Sequence, residues 1–511
     1  MIRRVFVVAG VVLTCAVSVV HAAGHEGDAR LDSALLRRAH AESAPGEAQK
    51  TSRVIIRTTD GGPATLLIAS VGGVAGPYFR SLGGQVARVP DRALDWLASQ
   101  ADVAGISLDR AVRDTMDRTA TAIGARWVAD FLGVDGSGIG VATIDSGVTG
   151  MHQDLDGRVV HFADFVNAQT SPYDDYGHGT HVAGIIAGMG SSRSDGSSRR
   201  GIAPGAHLVV LKALDVSGNG YTSSVIAAID YAIANRITYN IRVINLSVAA
   251  GVYESYTKDP LTLAAKRAVD AGIVVVAAAG NRGLTAAGAA EYGGVTSPGN
   301  APWVLTVGAA NDRGTVDRAD DVVAEFSSRG PAAIDRAAKP DIVAHGVAIE
   351  STSETSSALY AANGPARRGA NPPEPYMALT GTSMAAPVVT GAIALMLEAN
   401  PALTPNAVKA ILQFTAESRS GVDTLTQGAG FLNARGAVAL ARAFAGVASP
   451  GELTSDPVRW SRHIIWGNRV VSGALLNARA NAWALGVTWG DQSSVEGEPI
   501  DVGLRTERPR E

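Results

Sequence analysis

Three short stretches place a serine, a histidine and an aspartate where they could cooperate in nucleophilic catalysis. Ser383 sits in Leu379-Thr380-Gly381-Thr382-Ser383-Met384-Ala385-Ala386-Pro387, just ahead of the apolar run Val388, Val389, Ala392, Ile393, Leu395, Met396 and Leu397. That run is dense enough for a buried helix, and Pro387 suits its first turn. Ser383 is therefore expected at a helix N-terminus, where unpaired amides and the helix dipole favour developing negative charge. A lone Gly-Thr-Ser is usually only a helix cap. A nucleophilic serine also needs a base to take its proton and a carboxylate to orient that base, and candidates for both lie upstream. Ile139 to Ile144 reads as a buried strand running into Asp145-Ser146-Gly147, which puts a carboxylate at a strand end. Tyr176-Gly177-His178-Gly179-Thr180-His181-Val182-Ala183-Gly184 opens another small-residue helix, with glycines leaving room around the His178 imidazole.

In the chain order Asp, His, Ser, these motifs resemble those of the subtilisin-like (subtilase) serine peptidases. The resemblance implies that Asp145 orients the imidazole, that His178 is general base and then acid, and that Ser383 attacks the scissile carbonyl. His181, the second histidine of His-Gly-Thr-His, takes a packing role. Two histidines at this spacing could suggest a metal, but no third ligand cluster supports one, so neither metal nor cofactor is expected. Val274-Val275-Val276-Ala277-Ala278-Ala279-Gly280-Asn281 resembles the strand and loop that make Asn281 the oxyanion donor, with Gly280 beside it. Two segments resemble the family's substrate-pairing edges. Ser247, Val248 and Ala249 would line the first specificity pocket, while Asn219 and Gly220 would face more distant substrate residues. Ala249 stands where relatives often have glycine. Arg282, directly after Asn281, could bias the pocket toward an acidic residue, although surface arginines are usually just solvated. Tyr292–Asn300, Phe326–Pro331 and Lys339–Ala344 extend the resemblance, which runs from about Gly138 to about Ala439, and His345 reads as a loop residue where relatives carry proline. Gly190–Arg200 stands where many relatives have a calcium loop. It offers only Asp195 against Arg193, Arg199 and Arg200, so no strong calcium site is expected there.

Strand and helix patterns alternate through the middle of the chain. They argue for an α/β fold, a doubly wound and mostly parallel sheet with helices on both faces and the site at the strand carboxyl ends. This catalytic domain spans residues 119–446. Ahead of it, residues 1–22 read as a secretory signal peptide: Arg3-Arg4, an apolar run from Val5 to Val20, then His21-Ala22-Ala23. The run is short for a stable membrane span, and Cys15, the only cysteine, would leave with it.

Residues 23–118 read as a small α+β unit, with strands at Arg53–Arg57, Gln85–Val89 and Val103–Ser107 and a helix capped by Asp91 and running through Ala98. It resembles the subtilase propeptide, an intramolecular inhibitor and folding assistant. Arg113–Arg118 reads as an exposed linker, with the maturation bond between Arg110 and Thr121. Residues 447–511 form a short β-rich tail behind a linker at Ser449–Glu452. The tail holds Trp460, Trp466, Trp483 and Trp489, and Ile464–Asn468 and Val487–Asp491 look like copies of one unit.

A chain of 511 residues is too long for one ordinary domain, and 46% hydrophobic with 18% charged residues is globular. A net charge of −4 gives no nucleic-acid footprint. The sequence thus predicts a secreted (extracellular or periplasmic) serine endopeptidase acting on polypeptides. Two rival readings are a subtilase fold kept as a binding module, disfavoured because all four catalytic groups are present, and an esterase using the same acyl chemistry.

Overall fold

The computed structural model describes residues 30–31, 33–39, 50–80, 83–109, 115–190, 199–368, 375–466 and 469–472. The expected signal peptide and the second tail copy, Val487–Asp491, lie outside them. The chain divides into two compact units, Met1–Ala111 and Val112–Glu511.

In the first unit, Thr51–Thr58 turns Ser52, Val54 and Ile56 inward and their neighbours outward, the period of a strand with one buried face. The sheet runs Val74–Phe79, Gly84–Pro90, Thr51–Thr58, Val103–Leu108, all neighbours antiparallel. Ile56, Ile68, Val89, Leu94, Leu97 and Ile106 pack together into its core. The strand Val74–Phe79 escapes a reading by apolar alternation, because Pro77 interrupts it and both Val74 and Phe79 are exposed. Asp91 does not cap the following helix as expected. It opens a 3-10 turn, Asp91–Ala93, that runs into the helix Leu94–Ser99, whose cap position is held by Ala93.

The second unit is built on β1 (Gly140–Asp145), β2 (Val159–Asp164), β3 (His207–Lys212), β4 (Ile241–Leu246), β5 (Val274–Ala278), β6 (Leu305–Asn311), β7 (Val322–Val323) and β8 (Ile342–His345). These form one sheet in the order β7-β6-β5-β4-β1-β3-β2, with β8 also pairing with β6. Every pair is parallel except β6–β7. Continuous apolar strands suit a sheet covered on both faces. On one face Val141, Val210, Val243 and Val276 pack with the helices His178–Ala187 and Thr382–Ala399, here the histidine helix and the serine helix. On the other, Ile144, Val209, Ile244 and Val275 meet the helices Thr222–Ala234 and Pro260–Asp270. The structure has the α/β doubly wound architecture that the sequence predicts.

Four expectations are corrected here. The exposed linker at Arg113–Arg118 is, at its described end, a helix, Thr115–Ala122. Met116 is fully buried, and buried Arg118 grips Asp312 with Nε–Oδ2 2.6 Å and Nη2–Oδ1 3.3 Å. The linker at Ser449–Glu452 is also helical: Pro450–Thr454 carries a capping box between Ser449 and Glu452, and Glu452 pairs with Arg442 at 2.8 Å. The described tail does not stand apart, since Ile464 and Ile465 are buried in the core around the serine helix. His463–Trp466 pairs with Arg469–Ser472 as a hairpin. His345 is no loop residue either. It ends β8, buried, with Nε2 3.1 Å from Asp321 Oδ2.

Candidate active site

β1 ends on Asp145, which is fully buried. Its Oδ1 accepts the Ser146 amide at 2.7 Å and lies 2.8 Å from His178 Nδ1, at the first residue of the histidine helix. With Nδ1–H donating to the carboxylate, Nε2 keeps its lone pair, as a general base requires. Burial works against the imidazolium, but the charge and hydrogen bond of Asp145, with the charge of Asp174, outweigh it and hold the His178 pKa above its ordinary value.

Asp174 is a functional residue that the sequence reading missed. Its buried carboxylate accepts Ser146 Oγ at 2.8 Å and the Gly177 amide at 2.7 Å through Oδ1, and the Thr180 amide at 2.8 Å and Thr180 Oγ1 at 2.6 Å through Oδ2. It thereby caps the first turn of the histidine helix from outside and ties that helix to the Asp145 loop. Its signal in the sequence is an aspartate four residues ahead of His178. Gly179 does more than leave room around the imidazole: a Cβ there would lie 2.2 Å from the Gly147 carbonyl, so only glycine lets helix and loop meet. His181, one turn on, donates Nε2–H between the carbonyls of Met377 (2.9 Å) and Ile349 (3.1 Å). Burial pushes its pKa down to about 3, so it is a neutral structural bridge.

Ser383 is the second residue of the serine helix, which starts at Thr382; Pro387 is therefore in the helix interior and not in its first turn. A proline there donates no amide to the carbonyl four residues back, that of Ser383. Ser247 Oγ donates to that carbonyl instead, at 2.9 Å, while Ser383 Oγ donates to the Ser247 carbonyl at 3.2 Å. Among the described residues no hydrogen bond joins Ser383 to His178. Such bonds often tighten only when substrate is bound.

Asn281 leaves β5 through Gly280, whose φ of +101° favours glycine. Asn281 Oδ1 accepts both the amide and the hydroxyl of Thr382 at 3.0 Å, which fixes the side chain and leaves Nδ2 to point elsewhere. A Cβ on Gly381 would lie 3.3 Å from Asn281 Nδ2 and 3.7 Å from the Ser383 amide nitrogen, so both nitrogens border the same small space beside Gly381. That arrangement can stabilise an oxyanion.

The expected substrate edges are not strands. Ser247, Val248 and Ala249 are irregular backbone beyond β4, with Ala249 exposed, and Asn219 and Gly220 lie in an exposed turn. Asp215 Oδ1 holds that turn by accepting the amides of Ser217 (2.9 Å) and Asn219 (3.0 Å). These segments follow the carboxyl ends of β4 and β3, as Asp145 ends β1 and Asn281 follows β5, so four candidate segments share one end of the sheet with the start of the serine helix. A cavity of about 1290 Å³ between residues 417–427 and 453–463 holds none of them. An extended peptide calls for an open groove rather than an enclosed pocket, and the convergent polar groups locate the site better than cavity size does.

Most of the expected calcium-loop position, residues 191–198, lies outside the described residues. At its end Arg199 is paired with Glu350 and lies 4.4 Å from the Tyr376 ring centre. Among the described residues no group of three or more His, Cys, Asp or Glu side chains could hold a metal ion.

Comparison with known proteins agrees with this geometry. The subtilase family matches residues 136–437. Serine protease AprX of Bacillus subtilis is 37% identical over 371 residues, 70% of this chain and 80% of the relative. Subtilisin E of the same species is 33% identical over 354 residues, 68% of this chain and 80% of the relative. A subtilisin of Bacillus pumilus is 36% identical over 285 residues, 56% and 86% of the two chains. The chain belongs to the subtilase family. It is a subtilisin-like serine endopeptidase.

Proposed function

We propose that the protein is an exported endopeptidase that cleaves polypeptides through an acyl-enzyme on Ser383. In this reading His178 takes the Ser383 proton and later passes it to the leaving amine. Asp145 holds the imidazole in the working tautomer, and Asn281 Nδ2 with the Ser383 amide receives the oxyanion. Ser247–Ala249, Gly280, Asn219 and Gly220 offer main-chain groups to the extended substrate. The observation that carries the reading is the 2.8 Å Asp145–His178 contact, at the end of the sheet where Asn281 is pinned to the first turn of the serine helix.

The test is Ser383→Ala, which should cut turnover by about a millionfold, the order seen when the nucleophile of such a triad is removed. It should also abolish labelling by a fluorosulfonate. Undiminished peptide hydrolysis by the purified variant would sink the assignment.

The reading includes export behind the residue 1–22 signal peptide and synthesis as a self-processing pro-enzyme, with the first unit as intramolecular inhibitor. A separate compact unit ahead of the catalytic one supports this. The maturation bond now falls in a narrower window, between residues 110 and 115. From Thr115 on the backbone is helical and Met116 and Arg118 are buried, so cleavage there would need prior unfolding. Full-length wild type should shorten in a host lacking other proteases and Ser383→Ala should not. Shortening of both would assign processing to another enzyme.

A further inference from the structure

The carbonyl of Ser383, left without a helical donor by Pro387, is the end of a buried hydrogen-bonded chain that begins on the same helix. Thr390, seven residues on and so close to the same helical face, donates Oγ1–H to Asn245 Oδ1 at 2.9 Å. Asn245 Nδ2 donates to Ser247 Oγ at 3.0 Å, and Ser247 Oγ donates to the Ser383 carbonyl at 2.9 Å. Asn245 and Thr390 are fully buried, and Ser247 nearly so. Each donor has one acceptor, so the Thr390 hydroxyl fixes which end of the Asn245 amide faces Ser247. Ser247 in turn holds Ser383 twice, through its hydroxyl and through the carbonyl that accepts Ser383 Oγ.

We propose that Thr390 and Asn245 are positioning residues for the nucleophile. They touch no substrate, and they set the place of the Ser383 backbone, hence of its hydroxyl and of the amide that would meet the oxyanion. This rests on the reading of Ser383 as nucleophile. Small misplacements of a reacting group cost much in rate, and an unpaired buried amide oxygen favours rearrangement of its neighbours. Loss of the Thr390 donor should therefore appear in turnover and not in substrate binding.

The experiment compares full-length wild type, Thr390→Val, Thr390→Ser, Ser247→Ala and the double variant Thr390→Val/Ser247→Ala, with competent sites counted by fluorosulfonate titration. Per titrated site, Thr390→Val should lower kcat about tenfold, a barrier change of about 1.4 kcal/mol. KM should stay within about twofold and the acid limb of the pH profile should not move, because Asp145 and His178 are untouched. Thr390→Ser, which keeps the hydroxyl, should restore most of the rate. Ser247→Ala breaks the same chain from its other end and carries the test if Thr390→Val does not fold. The double variant should lose little beyond the larger single loss, since the two act through one path.

Wild-type kcat per site in Thr390→Val or in Ser247→Ala, a loss confined to KM, or additive losses in the double variant would overturn the proposal. Ser383→Ala separates the two claims. If it is inactive while Thr390→Val is fully active, only the positioning chain fails; if it remains active, the nucleophile reading fails as well.

Discussion

Two buried charge clusters sit at opposite ends of the same parallel sheet, and they are balanced in opposite ways. At the carboxyl end, Asp145 and Asp174 are both buried beside His178, while the fully buried Lys212 Nζ is held by the Ser146 and Leu214 carbonyls and by Asp175 at 2.7 Å. At the amino end, Lys339 and Lys409 share one carboxylate. Lys339 Nζ lies 2.8 Å from Asp341 Oδ2 and Lys409 Nζ 2.9 Å from Asp341 Oδ1, and carbonyls of Pro302 and Val304 take further donors. Surplus negative charge at the first end favours the imidazolium form of His178, which the proposed mechanism creates. Surplus positive charge at the second end adds to burial in pushing the Lys339 pKa down to about 7, despite the attraction of Asp341. On the proposed mechanism the first imbalance serves chemistry, whereas the second should bear on stability.

Substitutions can break or sharpen that contrast. Asp145→Asn should lower kcat about 10,000-fold by releasing the imidazole from its working tautomer, with folding largely kept. A loss below tenfold would remove Asp145 from the orienting role. Asn281→Ala should cost about 100- to 1000-fold in kcat with little change in KM; normal kcat with much weaker binding would move Asn281 to substrate recognition.

Asp174→Asn keeps the size of the side chain, gives up the two donors that one carboxylate oxygen accepts, and removes a charge that raises the His178 pKa. The proposed base works only when neutral, so in wild type the acid limb of kcat/KM should lie above the ordinary histidine value of about 6.5. Asp174→Asn should shift that limb to lower pH. An unmoved limb would show that Asp174 acts only as a cap.

Lys339→Met should leave kcat within about twofold and act on stability, with a sign set by linkage. Above the unfolded lysine value of about 10.4 the side chain is neutral in both states. As pH falls toward 7 the unfolded chain takes up the proton and the fold resists it, so wild-type stability declines from about pH 10 to about pH 7. Below that both states are protonated and the term stays constant. Denaturation midpoints measured across this range should flatten in Lys339→Met, and an unchanged slope would deny Lys339 the assigned role.

The four residues proposed for the site were legible through motifs that resemble those of the subtilases, and each also stands beside a local marker: Asp145 and Asn281 at or just after strand ends, His178 and Ser383 at helix starts. Asn245 and Thr390 carry no such marker, and Asp174 has only its place four residues ahead of His178. Thr390 lies within an apolar run that reads as plain core, and its acceptor is 145 residues away in the chain. The same blindness explains the misread linker at Arg113–Arg118, since the partner of Arg118 is 194 residues distant and only tertiary pairing turns a polar stretch into an interior one, whereas the helix at Pro450–Thr454 carries a local capping box that the sequence does show. Sheet type was readable from the alternation of strand and helix patterns, whereas strand order was not. The edge strand Val74–Phe79 was not legible either, because Pro77 interrupts it and none of its residues is buried.

The serine helix combines two duties: it carries Ser383 in its first turn and is buried along most of its remaining length. With Ser383 as the proposed nucleophile, a molecule that loses its core loses its nucleophile in the same event, and partly melted molecules should not digest their neighbours. In a warmed sample autolysis needs an intact molecule as attacker and an unfolded one as victim. Its initial rate should scale with the product of the two populations and be greatest near the unfolding midpoint, falling again as the last intact attackers disappear.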